Sequence, residues 1–273
     1  MTDAVEHWQS AHVEVGGLAG VGCRSFGEPF NRWLYRLRRA VFMRRVAPLV
    51  EVRPDLAVLD VGSGTGFYLD LWRELGVRDL TGYDLAPAAV ERLRARYPDV
   101  EVRRADIGAE DGLPARRFGV VSVFDVLFHI LDDDRYAQAF RNLGALVEPG
   151  GLLVFTENFL KGDRSNAPTP SQVDRTEAEI AALLAENGFE PLLRQRMFVL
   201  MNEAQNAADP LRPLWWRGFR RASRHRPWVG AVAGPLLYPL ERALVALPGK
   251  GSSSDLMVCR KVEHGRAATG PPP

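Results

Sequence analysis

The sequence predicts an α/β fold, a doubly wound parallel sheet with helices on both faces. Three observations carry this. Short apolar runs alternate with helix-like segments between Leu56 and Phe159, as expected of strand–helix–strand repetition. The runs are nearly continuous in apolar character, as strands covered on both faces must be. With 273 residues, 46% of them apolar and 25% charged, the chain has the size and composition of one large globular domain with room for an accessory element.

In chain order, the segment up to about Val52 opens with a glycine-rich loop, Gly16 to Gly27, followed by a helix. Phe30, Leu34, Leu37 and Val41 recur at three- and four-residue steps and give that helix one apolar face. Its other face carries Tyr35, Arg38, Arg39 and Phe42, a mixture suited to lining a cleft. Five strands are expected at Ala57 to Val61, Asp79 to Tyr83, Val100 to Arg103, Val120 to Phe124 and Leu152 to Thr156. Pro87 to Tyr97 and Asp134 to Val147 read as helices between them, and Asp132-Asp133-Asp134 as an acidic helix start favoured by the dipole. After a polar loop with Pro168 and Pro170, Thr176-Glu177-Ala178-Glu179 forms a capping box ahead of Ile180, Leu183 and Leu184, and Gly188 is the stop. Pro191 to Met201 is a sixth strand candidate and Asp255 to Lys261 a seventh. The 53 residues between them, Asn202 to Ser254, are too many for a structureless loop. They are expected to form two helices, about Pro213 to His225 and a proline-kinked Trp228 to Leu247. The organisation is therefore an N-terminal helical cap (1–52), a core (53–201), a helical insertion (202–254), a last core strand (255–263) and a disordered tail (264–273).

Charge narrows the setting. Thirty-five basic residues against 34 acidic ones give a net charge of +1, so no global attraction to nucleic acid or acidic membranes is implied. Only Lys161, Lys250 and Lys261 are lysine, an arginine bias that fits GC-rich coding better than a functional demand. Cys23 and Cys259, far apart, offer neither zinc spacing nor a disulfide framework, and a cytoplasmic location is expected. Met1 to Gly20 lacks a secretory layout. Val229 to Leu247, broken by Pro235 and Pro239 and holding Glu241 and Arg242, is not expected to span a membrane.

The chemistry-bearing signal is Val58-Leu59-Asp60-Val61-Gly62-Ser63-Gly64-Thr65-Gly66-Phe67. An apolar strand ends in Asp60 and runs into a Gly-x-Gly-x-Gly turn that opens a helix near Tyr68. Such a turn at the carboxyl end of the first strand lets a nucleotide-like ligand approach the backbone, although helix–strand packing alone also uses glycine. Two further acids add weight. Asp84 ends the next strand, 18 residues after Gly66, where a carboxylate can accept both hydroxyls of a ribose. Asp106, ending the third strand, can accept from an adenine amino group while Ile107 packs on the ring. Each acid alone is most often an N-cap or a solvated loop residue; three at successive strand ends point to an adenosine pocket.

These residues resemble the class I S-adenosylmethionine-dependent methyltransferases, small-molecule type. Asp60 with Gly62, Ser63, Gly64 and Gly66 matches the motif that holds the methionine part of the cofactor. Asp84 with Leu85 matches the ribose-binding pair, and Asp106 with Ile107 the adenine-binding pair. Phe124 to His129 matches the segment after the fourth strand, Phe124 counting among the cofactor-binding residues, and Pro149-Gly150-Gly151 matches the turn before the fifth. The resemblance implies a Rossmann-like seven-stranded sheet whose last strand, Asp255 to Lys261, is antiparallel and inserted between the fifth and sixth. It also implies S-adenosylmethionine as cofactor, without specifying the acceptor.

A sulfonium methyl is already activated, so the protein would mainly align the reactants and exclude water. For a hydroxyl acceptor His129 is the best general base, with packing or capping of the next helix as its bland alternative; His225 and His7 are weaker candidates. Catechol-type members of the family hold magnesium at these strand ends, where Asp125, Glu157 and Asn158 stand here. Glu157 replaces an aspartate and the expected lysine is missing, so no metal is assigned. In the insertion, Trp215, Trp216, Phe219, Trp228 and Tyr238 lie among Arg212, Arg217, Arg220, Arg221, Arg224 and Arg226. This suits a lid over a largely apolar or acidic small-molecule acceptor, with an arginine-coated solvent face, a homodimer contact or a helix touching anionic lipid as alternatives. No nucleic-acid partner is expected. Methylation of carbon or nitrogen, a lipid or quinone acceptor, and a noncatalytic S-adenosylmethionine-binding regulatory module remain rival readings. A nicotinamide oxidoreductase would want Gly-x-Gly-x-x-Gly in place of the even spacing here.

Overall fold

A computed structural model describes residues 26–161, 171–203, 211–223, 226–247 and 253–262. His7, Cys23, His225, Arg224, most of the glycine-rich loop and the 264–273 tail lie outside the described residues. The first helix of the described residues is α1 (Gly27–Arg45). Alternation then gives β1 (Ala57–Val61), α2 (Phe67–Glu74), β2 (Asp79–Asp84), α3 (Pro87–Arg96), β3 (Glu101–Arg104), β4 (Phe118–Val123), α4 (Asp133–Leu146) and β5 (Val147–Glu157). A short parallel ribbon, β6 (Phe159–Leu160) and β7 (Arg175–Thr176), precedes α5 (Glu177–Glu186) and β8 (Phe189–Arg196). Helices α6 (Leu211–Ser223) and α7 (Pro227–Ala246) lead to β9 (Asp255–Lys261).

Seven strands form one sheet in the order β3-β2-β1-β4-β5-β9-β8. Pairings from β3 to β5 are parallel, and β9 runs antiparallel to both β5 and β8. Alternate strand residues feed two cores. Val58, Val120, Val154 and Val258 pack toward α1 and α2, whereas Leu59, Val121, Leu153 and Phe155 pack toward α4 and α5. Chain order reverses at β1, which has β2 on one side and β4 on the other, so a crevice opens at the carboxyl ends of these strands.

Local chemistry explains the element ends. Thr176 and Glu179 make a reciprocal capping box at α5, and Asp132 caps α4 by accepting from the Arg135 N–H at 2.9 Å. The fifth strand starts earlier than expected. Val147 pairs with Phe118, so Pro149-Gly150-Gly151 lies inside β5 at a register shift, with Gly150 at φ 78°. The sixth strand stops at Arg196, short of Met201. The Met197 N–H still donates to the Ser254 carbonyl at 3.1 Å, but beyond it the buried Glu241 carboxylate accepts from Val199 at 2.6 Å, Leu200 at 2.8 Å and Met201 at 3.2 Å, which removes those three N–H groups from any ladder.

The insertion forms two helices, but they sit elsewhere than expected of a lid. Phe219 stacks on Phe26, the N-cap of α1, at 4.7 Å, and Gly230 and Gly234 of α7 approach Phe26 and, within α1, Phe30 and Trp33. A Cβ on Gly230 would stand 2.4 Å from the Phe26 carbonyl oxygen. Both helices therefore clamp the outer side of α1, and α1 in turn reaches the crevice.

Candidate active site

The crevice holds a cavity of about 480 Å³. Its first wall is the β1–α2 turn, Gly62 to Thr65, where Gly62, Gly64 and Gly66 all take positive φ (73°, 53° and 84°). At Gly62 a Cβ would fall 2.2 Å from a Val126 methyl. At Gly64 the left-handed backbone aims the N–H at Asp84 Oδ2, 2.8 Å away. The other Asp84 oxygen accepts from the Ala86 N–H at 2.9 Å. Both bonds orient the carboxylate at the end of β2, and a carboxylate has about four acceptor positions, so two N–H groups do not exhaust it.

Leu85, Asp106, Ile107 and Phe124 also line the cavity, as do Gly62, Ser63, Gly64 and Asp84. Asp106 stands two residues beyond the end of β3, held by the Gly108 N–H at 3.0 Å and by Arg135 at 2.5 Å. Asp60 and Gly66 lie behind the wall. Gly66 starts α2, packed against the Tyr97 ring. Asp60 is buried and accepts from Ser122 Oγ at 2.6 Å, and Ser122 accepts from Trp72 Nε1 at 3.0 Å. Burial pushes the Asp60 carboxyl up to about 7, against the Ser122 and Ser63 bonds that lower it.

An aromatic side completes the cavity. Tyr68 stacks on Phe124 with ring centres 3.6 Å apart, and Tyr35 meets Phe67 edge-on at 4.7 Å. Of these the sequence marked Tyr35 and Phe124; Phe67 and Tyr68 were legible only as helix starters. Arg135, also in the wall, had a signal only in its place three residues past the α4 cap.

His129 lines the cavity from the turn after β4. Its Nδ1 is 2.6 Å from the Ser171 carbonyl oxygen. A carbonyl only accepts, so Nδ1 carries a hydrogen and Nε2 holds the lone pair of the neutral ring. Asp125, beside it, is the one non-glycine residue with positive φ (57°) among the described residues. Its carboxylate pairs with the buried Arg38 of α1 at 2.5 Å and accepts from Thr156 Oγ1 at 3.0 Å. Burial, the largest single influence, lowers the Arg38 pKa, but Asp125 together with Tyr68 and Tyr35 outweighs it, and the net direction is up.

The three residues weighed as magnesium ligands have separate partners. Asp125 belongs to Arg38, Glu157 accepts from Tyr136 Oη at 2.9 Å, and Asn158 Nδ2 donates to Asp174 at 2.9 Å. Glu157 is fully buried, and burial pushes its carboxyl from 4.5 up to about 8. Between those pH values the folded protein holds a proton that the unfolded chain releases, so stability falls as pH rises through the interval. Asp60 acts with the same sign from 3.8 to about 7. Glu157→Gln, whose amide can donate to Tyr136 Oη while its oxygen accepts the Asn158 N–H, is expected to flatten the upper part of that decline in urea unfolding. A slope unchanged by the substitution would remove Glu157 as its source.

A glycine turn at the reversal point of a doubly wound sheet, with acids at the next two strand ends, defines a nucleoside-binding α/β protein. Comparison with known proteins makes the class specific. A family model described as a methyltransferase domain matches residues 32–231. The chain belongs to this family, the class I S-adenosylmethionine-dependent methyltransferases. It is 35% identical over 166 residues to a probable S-adenosylmethionine-dependent methyltransferase of Mycolicibacterium smegmatis, covering 59% of this chain and 60% of that one. The chain thus spans less than two thirds of that relative's length. In fold it is similar to the CcbJ methyltransferase of Streptomyces caelestis (TM-score 0.55, 18% identity, 96% and 99% of the two chains). It is also similar to the N-methyltransferase NodS of Bradyrhizobium japonicum (TM-score 0.54, 17% identity, 94% and 99%).

The residues present fit S-adenosylmethionine. Gly62 and Gly64 would face its methionine part, Asp84 and Leu85 the ribose, and Asp106 and Ile107 the adenine, all on one continuous wall.

Proposed function

We propose that the protein catalyses S-adenosylmethionine-dependent methyl transfer to a hydroxyl on a small, largely apolar molecule in the cytoplasm, with His129 as general base. The observation that carries this reading is the position of His129 in the cavity wall that also holds the glycine turn and Asp84, with Nδ1–H held by Ser171. When bound, S-adenosylmethionine supplies a methyl group on a sulfonium, which needs no further activation. The chain's own residues then have three tasks. Gly62 and Gly64 hold the methionine part, and Asp84 holds the ribose. Tyr35, Phe67, Tyr68 and Phe124 exclude water from the reacting end and offer ring faces to an apolar acceptor. His129 takes the acceptor's hydroxyl proton on Nε2, and the Ser171 carbonyl stabilises the resulting imidazolium through Nδ1–H. Among the described residues the α6 and α7 arginines, Arg217, Arg220, Arg221 and Arg242, do not line the cavity, so they lend no support to an acidic acceptor.

Removing a general base typically lowers turnover by about 10²–10⁴-fold, the expectation for His129→Ala, with cofactor affinity in calorimetry unchanged. Acceptors would be found by mass spectrometry as compounds gaining one methylene. Turnover at the native rate in His129→Ala would reject the base role, and cofactor binding without any methylated product would favour the regulatory reading.

A further inference from the structure

Helix α7 has two unlike sides. Gly230 and Gly234 lock one side onto α1, since a Cβ at Gly230 would stand 2.4 Å from the carbonyl oxygen of Phe26, the α1 N-cap residue, and one at Gly234 would stand 2.4 Å from the Trp33 ring. The opposite side presents Trp228, Val232, Leu236 and Leu240, spaced four residues apart and 52–72% exposed. Such a continuous apolar stripe is unusual on a soluble surface. Along its edge runs a cleft of about 510 Å³ between α1 and α7, lined by Arg36, Arg44, Arg45 and Arg242 among others. Arg44 and Arg242 are exposed and make no ion pair among the described residues. From Leu211 to Leu247 the sequence holds seven arginines and a single acid, Glu241, which is buried against the 199–201 backbone.

We infer that α7 lies flat on an anionic phospholipid bilayer, its apolar stripe at the boundary of headgroups and acyl chains and its arginine cleft on lipid phosphates. A self-paired dimer through this face would set arginines against arginines about the two-fold axis, whereas an anionic surface neutralises them. The helix is long and apolar enough to cross a membrane by length and composition, but the α1 contact occupies one side of it. Pro235 and Pro239 also deprive the Ala231 and Pro235 carbonyls of helical donors on the exposed side. Interfacial water satisfies such groups and hydrocarbon does not. Arginines beside an apolar helical face are the two components of interfacial binding.

The inference is independent of the methyl acceptor and is tested without turnover. The full chain is floated with vesicles of phosphatidylcholine alone or with one-third phosphatidylglycerol. Binding is expected to the anionic vesicles only and to weaken with salt. Leu236→Glu with Leu240→Glu should abolish it while circular dichroism and cofactor affinity stay native. Arg44→Ala and Arg242→Ala should each weaken it about fivefold. Absence of binding to anionic vesicles would overturn the proposal, as would binding indifferent to both leucine substitutions. A concentration-dependent dimer abolished by the same leucine changes, with no vesicle binding, would assign the face to a second copy of the chain.

Discussion

Asp84→Ala is expected to abolish measurable S-adenosylmethionine binding. Two losses combine. The ribose loses a charged acceptor, and each hydrogen bond to a charged group contributes about 1.5–3 kcal/mol, so two of them amount to about 10²–10⁴-fold in affinity. The glycine turn also loses its anchor, because the Gly64 N–H donates to Asp84 Oδ2 at 2.8 Å. Asp84→Asn separates these effects. An amide oxygen can keep the Gly64 or the Ala86 bond but carries no charge, so the turn persists and affinity falls less. Gly64→Val attacks the same site from the backbone, since a β-branched residue at φ 53° is strained and its methyls enter the space before the turn. Isothermal calorimetry on all three variants, with circular dichroism as a check of folding, decides the matter. Native affinity in both Asp84→Ala and Gly64→Val would withdraw the assignment of this cavity to the cofactor.

The nucleoside side of this site was legible in the sequence because its determinants are local. Gly62 to Gly66 must form a turn with positive φ, and Asp84 follows an apolar run whose length fixes where the strand ends. Chain-distant pairings left no such trace. Nothing in the spacing joins Arg135 to Asp106, or Tyr68 to Phe124, until α2 and α4 dock on the sheet. The ribbon of β6 and β7 has two residues per strand, too few for any pattern. The insertion showed its helices but not their seat. Aromatic and arginine residues among small ones describe a lid, a lipid face or a packing clamp alike, and only the tight approach of Gly230 and Gly234 to α1 distinguishes them. Pro191 to Met201 reads as one strand in the sequence, yet Glu241, 40 to 42 residues further on, takes the N–H groups of Val199, Leu200 and Met201. Sequence pattern reports which residues are apolar; which backbone groups a remote carboxylate takes is decided only in the fold.

The largest effect on stability is expected at the pair that ties α1 to the end of β4. Arg38 is buried, with 8% of its surface exposed, and its Nε has no hydrogen-bond partner among the described residues. Its charge is compensated mainly by Asp125 at 2.5 Å, with the Tyr68 hydroxyl at 3.4 Å and the Phe198 and Tyr35 ring faces nearby. Removing one partner of a buried pair costs about 3–5 kcal/mol because the other charge stays behind. Asp125 keeps a quarter of its side chain exposed, so the low end, about 3 kcal/mol, applies to Asp125→Ala. Arg38→Met should cost less, since the carboxylate left behind retains water and the Thr156 hydroxyl. The double variant should then be no worse than Asp125→Ala alone, the signature of coupled neighbours. Backbone strain supplies an internal control. At φ 57° an alanine is disfavoured by about 1 kcal/mol relative to glycine, so Asp125→Gly should recover part of what Asp125→Ala loses. Urea midpoints measure all four, and hydrogen exchange should show α1 opening first in the single variants. Because Tyr35 reaches the cavity from α1 and Asp125 from the turn after β4, loosening this pair should also weaken cofactor binding. Asp125→Ala as stable as the native protein, with α1 equally protected, would show that the ion pair does not hold the helix over the site.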